Sequence, residues 1–213
     1  MTEPYRRDRR RLVEHLRDAG IGDLAVLHAF DAVPRHLFVP EALRGRAYED
    51  AALPIGHGQT ISKPGAHALH LSLAALEGTE RVLEIGTGSG FQTALLCRLA
   101  HEVYSVERIR SLAERARGRL ASMGVTNVTL RTGDGSAGWP DAAPFDVILV
   151  GAAAPDVPGP LRKQLRIGGR LLIPVGSEDG QTLVRVVREG TASWREERVE
   201  AARFVPLLGE EGW

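Results

Sequence analysis

The sequence predicts an α/β fold: a doubly wound, mostly parallel sheet with antiparallel edge strands and a helical, irregular N-terminal addition. Three observations carry that expectation. The apolar run Val82, Leu83, Glu84, Ile85 breaks into Gly86-Thr87-Gly88-Ser89-Gly90 and then into Phe91 to Leu96, which reads as strand, glycine turn and helix. Between residues 66 and 175, short apolar runs alternate with stretches of helical spacing, the pattern of right-handed crossovers. Beyond residue 176 the helices stop and strand-like runs follow one another, as at the antiparallel edge of a mixed sheet.

Composition narrows the rest. A chain of 213 residues fits one domain and buries a large core without disulfides. We divide it into an N-terminal part (1–65), an α/β core (66–175) and C-terminal strands (176–213). Twenty-seven basic residues balance 27 acidic ones, which argues against nucleic acid as a partner. The lone Cys97 lies in an apolar helical run and reads as a packed thiol. Arg6, Arg7, Arg9, Arg10 and Arg11 are not followed by the apolar core of a signal peptide, and no run is long enough to span a membrane. The expectation is a cytoplasmic monomer.

Residues 6–19 place Leu12, Val13, Leu16 and Ala19 on one side of a helix that Gly20 stops, and Asp23 caps a second helix over 24–32. Residues 34–64 are long and irregular, yet carry Phe38, Val39, Tyr48, Leu53 and Ile55; a stretch of that kind reads as ordered and functional. Helices follow at 66–76, 91–100, 109–123 and about 158–165. Strands are expected at 81–85, 102–106, 127–131, 145–150 and 170–175, then at 182–188 and 194–206.

In such a sheet the ligand lies beyond the carboxyl ends of the strands, so the residues ending each strand matter most. Gly86, Thr87 and Gly88 let main chain approach a bulky group. The position of a further dinucleotide-type glycine is taken by Phe91, so a pyrophosphate is not expected. Glu107, 17 residues after Gly90, ends the next strand and is placed to accept from ribose hydroxyls, or to cap the helix that follows. Asp134, between Gly133 and Gly135, is placed to accept from an adenine amino group, or serves as a turn residue. Glu84 in an apolar strand has little structural excuse unless it is paired. Together these point to S-adenosyl-L-methionine and a Rossmann-like class I methyltransferase. The fourth strand ends in Gly151-Ala152-Ala153-Ala154-Pro155, which offers no acceptor for an exocyclic amine of a base. His57, His67 and His70 have no completing carboxylate or cysteine motif, so no metal is expected.

The segment Leu53 to Pro64, containing Gln59-Thr60-Ile61-Ser62, is more specific than the glycine turn. With Val82 to Gly90, Ser105 to Ile109, Gly133-Asp134-Gly135, Ala152 to Pro155 and Arg203 to Leu207, it makes the chain resemble the protein-L-isoaspartate O-methyltransferase family nearly end to end. The resemblance implies esterification of the free α-carboxylate of isoaspartyl residues in proteins and peptides, starting repair through a succinimide. It implies Ser62 as the active-site serine and Gln59, Thr60, Ile61 and Ser62 as a loop over the cofactor. It further implies His67 near the cofactor, Gly86, Thr87 and Gly88 around its methionine part, Glu107 at the ribose, and Asp134 with Gly135 at the adenine. Glu84 joins this set on its spacing. The stretch Gly65-Ala66-His67 departs from the bulkier pair common in bacterial members. A relative dedicated to one precursor peptide, and a cofactor-binding regulator without catalysis, are the alternatives.

Overall fold

The computed structural model describes residues 5–177 and 179–213; residues 1–4 and 178 lie outside the described residues. Helix α1 (Arg6–Asp18) buries Leu12 and Leu16, and α2 (Leu24–Ala32) buries Val26, Leu27, Ala29 and Phe30. Asp23 starts α2 by accepting from the Ala25 and Val26 N–H groups. Pro34 ends this regular part. The chain then makes two 3-10 turns (Arg35–Phe38 and Glu41–Arg46), so the irregular segment is ordered, with Phe38 and Val39 in the core.

A small antiparallel ladder follows, β1 (Leu53–Gly56) against β2 (Gln59–Ile61), turned through Gly56, His57 and Gly58 at positive φ. His57 Nε2 lies 2.8 Å from Ser111 Oγ, and Arg115 donates to the Ile55 carbonyl. Both partners sit on α5 (Arg110–Ser122), so the ladder is tied to a helix of the core. Helix α3 (Pro64–Ala74) begins two residues earlier than its spacing predicts, because Pro64 suits the first turn of a helix.

The main sheet has seven strands: β3 (Arg81–Ile85), β4 (Glu102–Glu107), β5 (Val128–Thr132), β6 (Phe145–Val150), β7 (Leu165–Ser177), β8 (Gly180–Arg188) and β9 (Trp194–Ala202). Their order is β5-β4-β3-β6-β7-β8-β9. The four pairings among β5, β4, β3, β6 and β7 are parallel, and β8 and β9 close the edge antiparallel. The chain leaves β3 toward β4 and β5, then returns to the other side for β6, so β3 and β6 flank the point where the order reverses. Helix α4 (Phe91–Leu99) packs over the sheet.

Alternation along each strand divides the core into two layers. Val82, Val103, Val147, Leu149 and Leu172 face α1 to α4, whereas Leu83, Ile85, Val106, Ile148, Val150 and Leu171 face the other side with Leu161 of α6 (Gly159–Lys163). One expectation needs correcting. The sixth helix is shorter than predicted, and β7 starts at Leu165 and runs through Gly168-Gly169, which the sequence placed before the strand. A Cβ on Gly169 would meet the Phe145 and Asp146 carbonyls at 3.1 and 2.9 Å, so glycine lets β7 press against β6 where the register shifts.

Candidate active site

The carboxyl ends of β3, β4 and β6 are held in line by main-chain bonds that continue past the strands. Gly86 N–H donates to the Val106 carbonyl, Gly133 N–H to that of Glu107, and Gly151 N–H to that of Ile85. A cleft opens over these ends. Its walls include Gln59 and Thr60 of β2, Gly86 and Gly88 of the glycine turn, Glu107 and Arg108 after β4, and Gly135 after β5. Gly86 and Gly88 have φ of 91° and 54°, which only glycine adopts without strain. A Cβ on Gly135 would overlap the Ile85 side chain, so the cleft floor exists because that position is glycine.

Glu107 is nearly buried and does two things. Its Oε2 accepts from Gly88 N–H at 2.8 Å and its Oε1 from Ile109 N–H at 2.9 Å. The capping reading and the cleft reading therefore meet in one carboxylate. Each oxygen keeps a further acceptor position, enough for a pair of hydroxyl donors.

Four of the residues expected at the cofactor, Glu84, Thr87, His67 and Ile61, have side chains engaged within the protein itself. Glu84 stands behind the glycine turn, away from the cleft wall. Period two sets its side chain opposite Ile85, on the α4 face. There its Oε2 accepts from Thr93 Oγ1 at 2.5 Å and from Ser105 Oγ at 2.6 Å. Burial pushes the Glu84 carboxyl up to about 7, with the Ser105 and Thr93 hydrogen bonds opposing. Thr87 is tied to the same chain, its Oγ1 2.6 Å from Ser105 Oγ, and does not line the cleft. Glu84, Ser105 and Thr87 thus brace the turn from beneath. His67 lies in the core between α3 and α4, its Nδ1 2.8 Å from Gln92 Oε1 and its ring edge-on to Phe91. Burial, helped by the Arg35 charge, pulls His67 down to about 3, so it is neutral. Ile61 points into the core beneath β2.

Ser62 follows β2 directly and is half-buried. Among the described residues its hydroxyl has no hydrogen bond, while its carbonyl accepts from Arg35 Nη2 at 2.9 Å. Arg35 is fully buried, donates from Nε to the Ala47 carbonyl at 2.8 Å, and lies 4.8 Å over the Phe91 ring. Burial pushes it down to about 9, with Asp50 and Tyr48 partly restoring it. Asp50 in turn accepts from Gly65 N–H at 2.7 Å. Residues of the irregular segment thus hold the serine's carbonyl and the chain three residues beyond it. Sequence reading missed Arg35; its only signal was a cation in an otherwise apolar stretch.

Asp134 is partly engaged within the chain. Its carboxylate accepts from Ser136 and from the main chain of Glu210, and Gly135 alone of that pair lines the cleft. Val205, Pro206, Leu207 and Leu208 form part of the wall; the resemblance implied a walling role for Phe204 to Leu207, and Leu208 extends it. Among the described residues, no group of three His, Cys, Asp or Glu side chains could hold a metal ion. None of the described helices is long and apolar enough to cross a membrane.

The family model for protein-L-isoaspartate(D-aspartate) O-methyltransferase matches residues 7–212. The chain belongs to this family. A protein-L-isoaspartate O-methyltransferase of Dictyoglomus thermophilum is 50% identical over 212 residues, covering 100% of this chain and 96% of that protein. One from Magnetococcus marinus is 52% identical over 207 residues, covering 97% and 91%. A Plasmodium falciparum structure assigned to the same family, in complex with S-adenosyl-L-homocysteine, superposes with a TM-score of 0.82 at 25% identity, covering 93% of this chain and 97% of that one. The family explains why a carboxyl-methylating site needs no strong base near Ser62: its acceptor is already an anion near neutral pH.

Proposed function

We propose that this enzyme uses S-adenosyl-L-methionine to methylate the free α-carboxylate of isoaspartyl residues in damaged proteins and peptides. The observation that carries the reading is Ser62. Among the described residues its hydroxyl is unengaged, its carbonyl is fixed by a buried cation, and it follows the strand whose Gln59 and Thr60 line the cleft.

The residues present fit the cofactor. Gly86, Gly88 and Gly135 leave room for a bulky ligand, Glu107 keeps two acceptor positions for the ribose, and Asp134 keeps one for the adenine amino group. When bound, it supplies a methyl group on a sulfonium. The carboxylate oxygen would form the new bond to carbon as the sulfur–carbon bond breaks, and no proton moves. Ser62 would donate one hydrogen bond that turns the carboxylate toward the methyl group, a positioning role. A single neutral donor leaves the anion nucleophilic, which a cation would not. Charge is neutralised as the bond forms, so the apolar wall of Ala152, Val205 and Leu207 favours the transition state over separated ions. The methyl ester then closes to a succinimide without further help from the chain, and its hydrolysis returns part of the material as normal aspartate.

We treat residues 1–213 as one methyltransferase domain working as a cytoplasmic monomer, with neither nucleic acid nor membrane as a partner. Balanced charge supports the absence of a nucleic-acid partner.

The test uses methyl-labelled S-adenosyl-L-methionine and two synthetic peptides differing only in isoaspartate against aspartate. Base-labile label on the isoaspartyl peptide alone is expected. Label on neither peptide would overturn the reading and favour a non-catalytic binder or a dedicated peptide substrate.

A further inference from the structure

The last seven residues of the chain lie against the residue assigned to the adenine. Asp134 Oδ1 accepts twice from Ser136, from its N–H at 2.8 Å and its hydroxyl at 2.7 Å. Its Oδ2 accepts from Glu210 N–H at 2.9 Å. Ser136 is fully buried, and its Oγ accepts in turn from Glu211 N–H at 3.0 Å. The tail is fastened elsewhere as well. Leu207 N–H and the Trp213 indole both donate to the Ala153 carbonyl, at 2.7 and 3.1 Å, and Trp213 N–H donates back to the Leu207 carbonyl. Between these anchors, Leu207 and Leu208 line the cleft together with Gly135.

A carboxylate offers about four acceptor positions. Three of those on Asp134 are filled by the protein, and the one left is on Oδ2, the oxygen the tail holds. A carboxylate that could rotate freely would present either oxygen to water as readily as to a ligand. Fixed in this way, it offers one acceptor in one direction, beside an apolar wall supplied by the same tail. That suits a flat heteroaromatic ring with one exocyclic amino donor.

From this geometry we infer that the main-chain N–H groups of Glu210 and Glu211 position the cofactor-binding carboxylate. They orient Asp134, the first directly and the second through Ser136, and so determine selection of a 6-amino purine. The inference rests on the assignment of Asp134 to the adenine and goes beyond it, since the selective element lies about 75 residues further along the chain.

Two substitutions act on this contact in different ways. Glu210→Pro removes the N–H that Oδ2 accepts, at an exposed position. Gly209→Ala places a Cβ against Asp134 Oδ1 and Ser136 Oγ, wedging the tail from the carboxylate. The measurement is calorimetric binding of S-adenosyl-L-homocysteine and of its inosine counterpart, in which the 6-amino group is an oxo group. Wild type should prefer the adenine ligand, and both variants should lose about tenfold of that preference, the size of one charge-assisted hydrogen bond. Asp134→Asn serves as the reference. If wild type and Asp134→Asn discriminate equally, the assignment of Asp134 to the adenine fails and the inference falls with it. If Asp134→Asn loses the preference while Glu210→Pro and Gly209→Ala keep it, the assignment stands and the role of the tail is overturned. The preference is a ratio within one protein, so a general loss of stability does not imitate the expected result.

Discussion

Arg35 Nη2 donates to the main-chain oxygen of Ser62 at 2.9 Å, and no carboxylate among the described residues lies within ion-pair distance of that guanidinium. A buried cation left without a formal counter-ion is costly, so its remaining partners matter. They are the Ala47 carbonyl and the Phe91 ring, both inside the core. The arrangement gives the serine loop a rigid post. Arg35→Lys keeps the charge but cannot reach both carbonyls with one ammonium in the same geometry. Turnover of an isoaspartyl peptide should fall about tenfold or more, because small displacements of a positioning group are expensive. Affinity for S-adenosyl-L-homocysteine, measured at a temperature well below unfolding, should stay within about twofold. An equal loss of both would make Arg35 a general stabiliser of the fold.

Ser62→Ala removes the hydroxyl and leaves the Arg35 contact, which uses the carbonyl. The expected result is a fall in kcat of roughly tenfold to a hundredfold with cofactor binding unchanged. Single-turnover kinetics alongside calorimetry separate the two quantities. A nucleophilic serine would instead leave an enzyme with no measurable transfer.

Gly135→Ala puts a methyl group where the Ile85 side chain already stands. Overpacking of this kind costs about 1–3 kcal/mol, and here the strain falls on the cleft floor. The dissociation constant for S-adenosyl-L-homocysteine should rise about tenfold, and the melting temperature should drop. Unchanged binding would mean that the cleft floor shifts without cost.

Glu84 predicts a pH dependence of stability. Its folded carboxyl is raised to about 7 from an ordinary 4.5, so the stability it contributes is complete below 4.5 and is lost as pH rises toward 7. His67 and His70 act in the opposite sense. Burial lowers them to about 3 and about 4, so their contribution is present above 6.5 and is lost as pH falls through those values. Two histidines outweigh one carboxyl below pH 6, and wild-type stability should climb from pH 4 to about 6 and then level. Glu84→Gln removes the component that falls with pH between 4.5 and 7. The variant should gain up to ~3 kcal/mol relative to wild type on going from pH 5 to pH 8, read from chemical denaturation at both values. A constant difference between the two proteins would show that Glu84 is ionised throughout.

The order of helices and strands from residue 64 onward and the glycine turn at 86–90 were legible in the sequence, and so was the importance of residues 59–62, although they form strand β2 and its end and not the loop expected. Each is written in residues a few positions apart, where periodicity, φ preference and turn chemistry act locally. Alternation along β3 sets Glu84 and Ile85 on opposed faces, although spacing alone had grouped Glu84 with the cofactor acids. What was not legible lies in pairs far apart in the chain. Arg35 finds Ser62 across 27 residues, His67 finds Gln92 across 25, and Asp134 is claimed by Glu210 across 76. No local preference distinguishes an aspartate that meets a ligand from one that meets a tail. Only packing decides which donors reach a carboxylate, because a hydrogen bond forms where folding brings two groups within about 3 Å, regardless of how the residues are spaced in sequence.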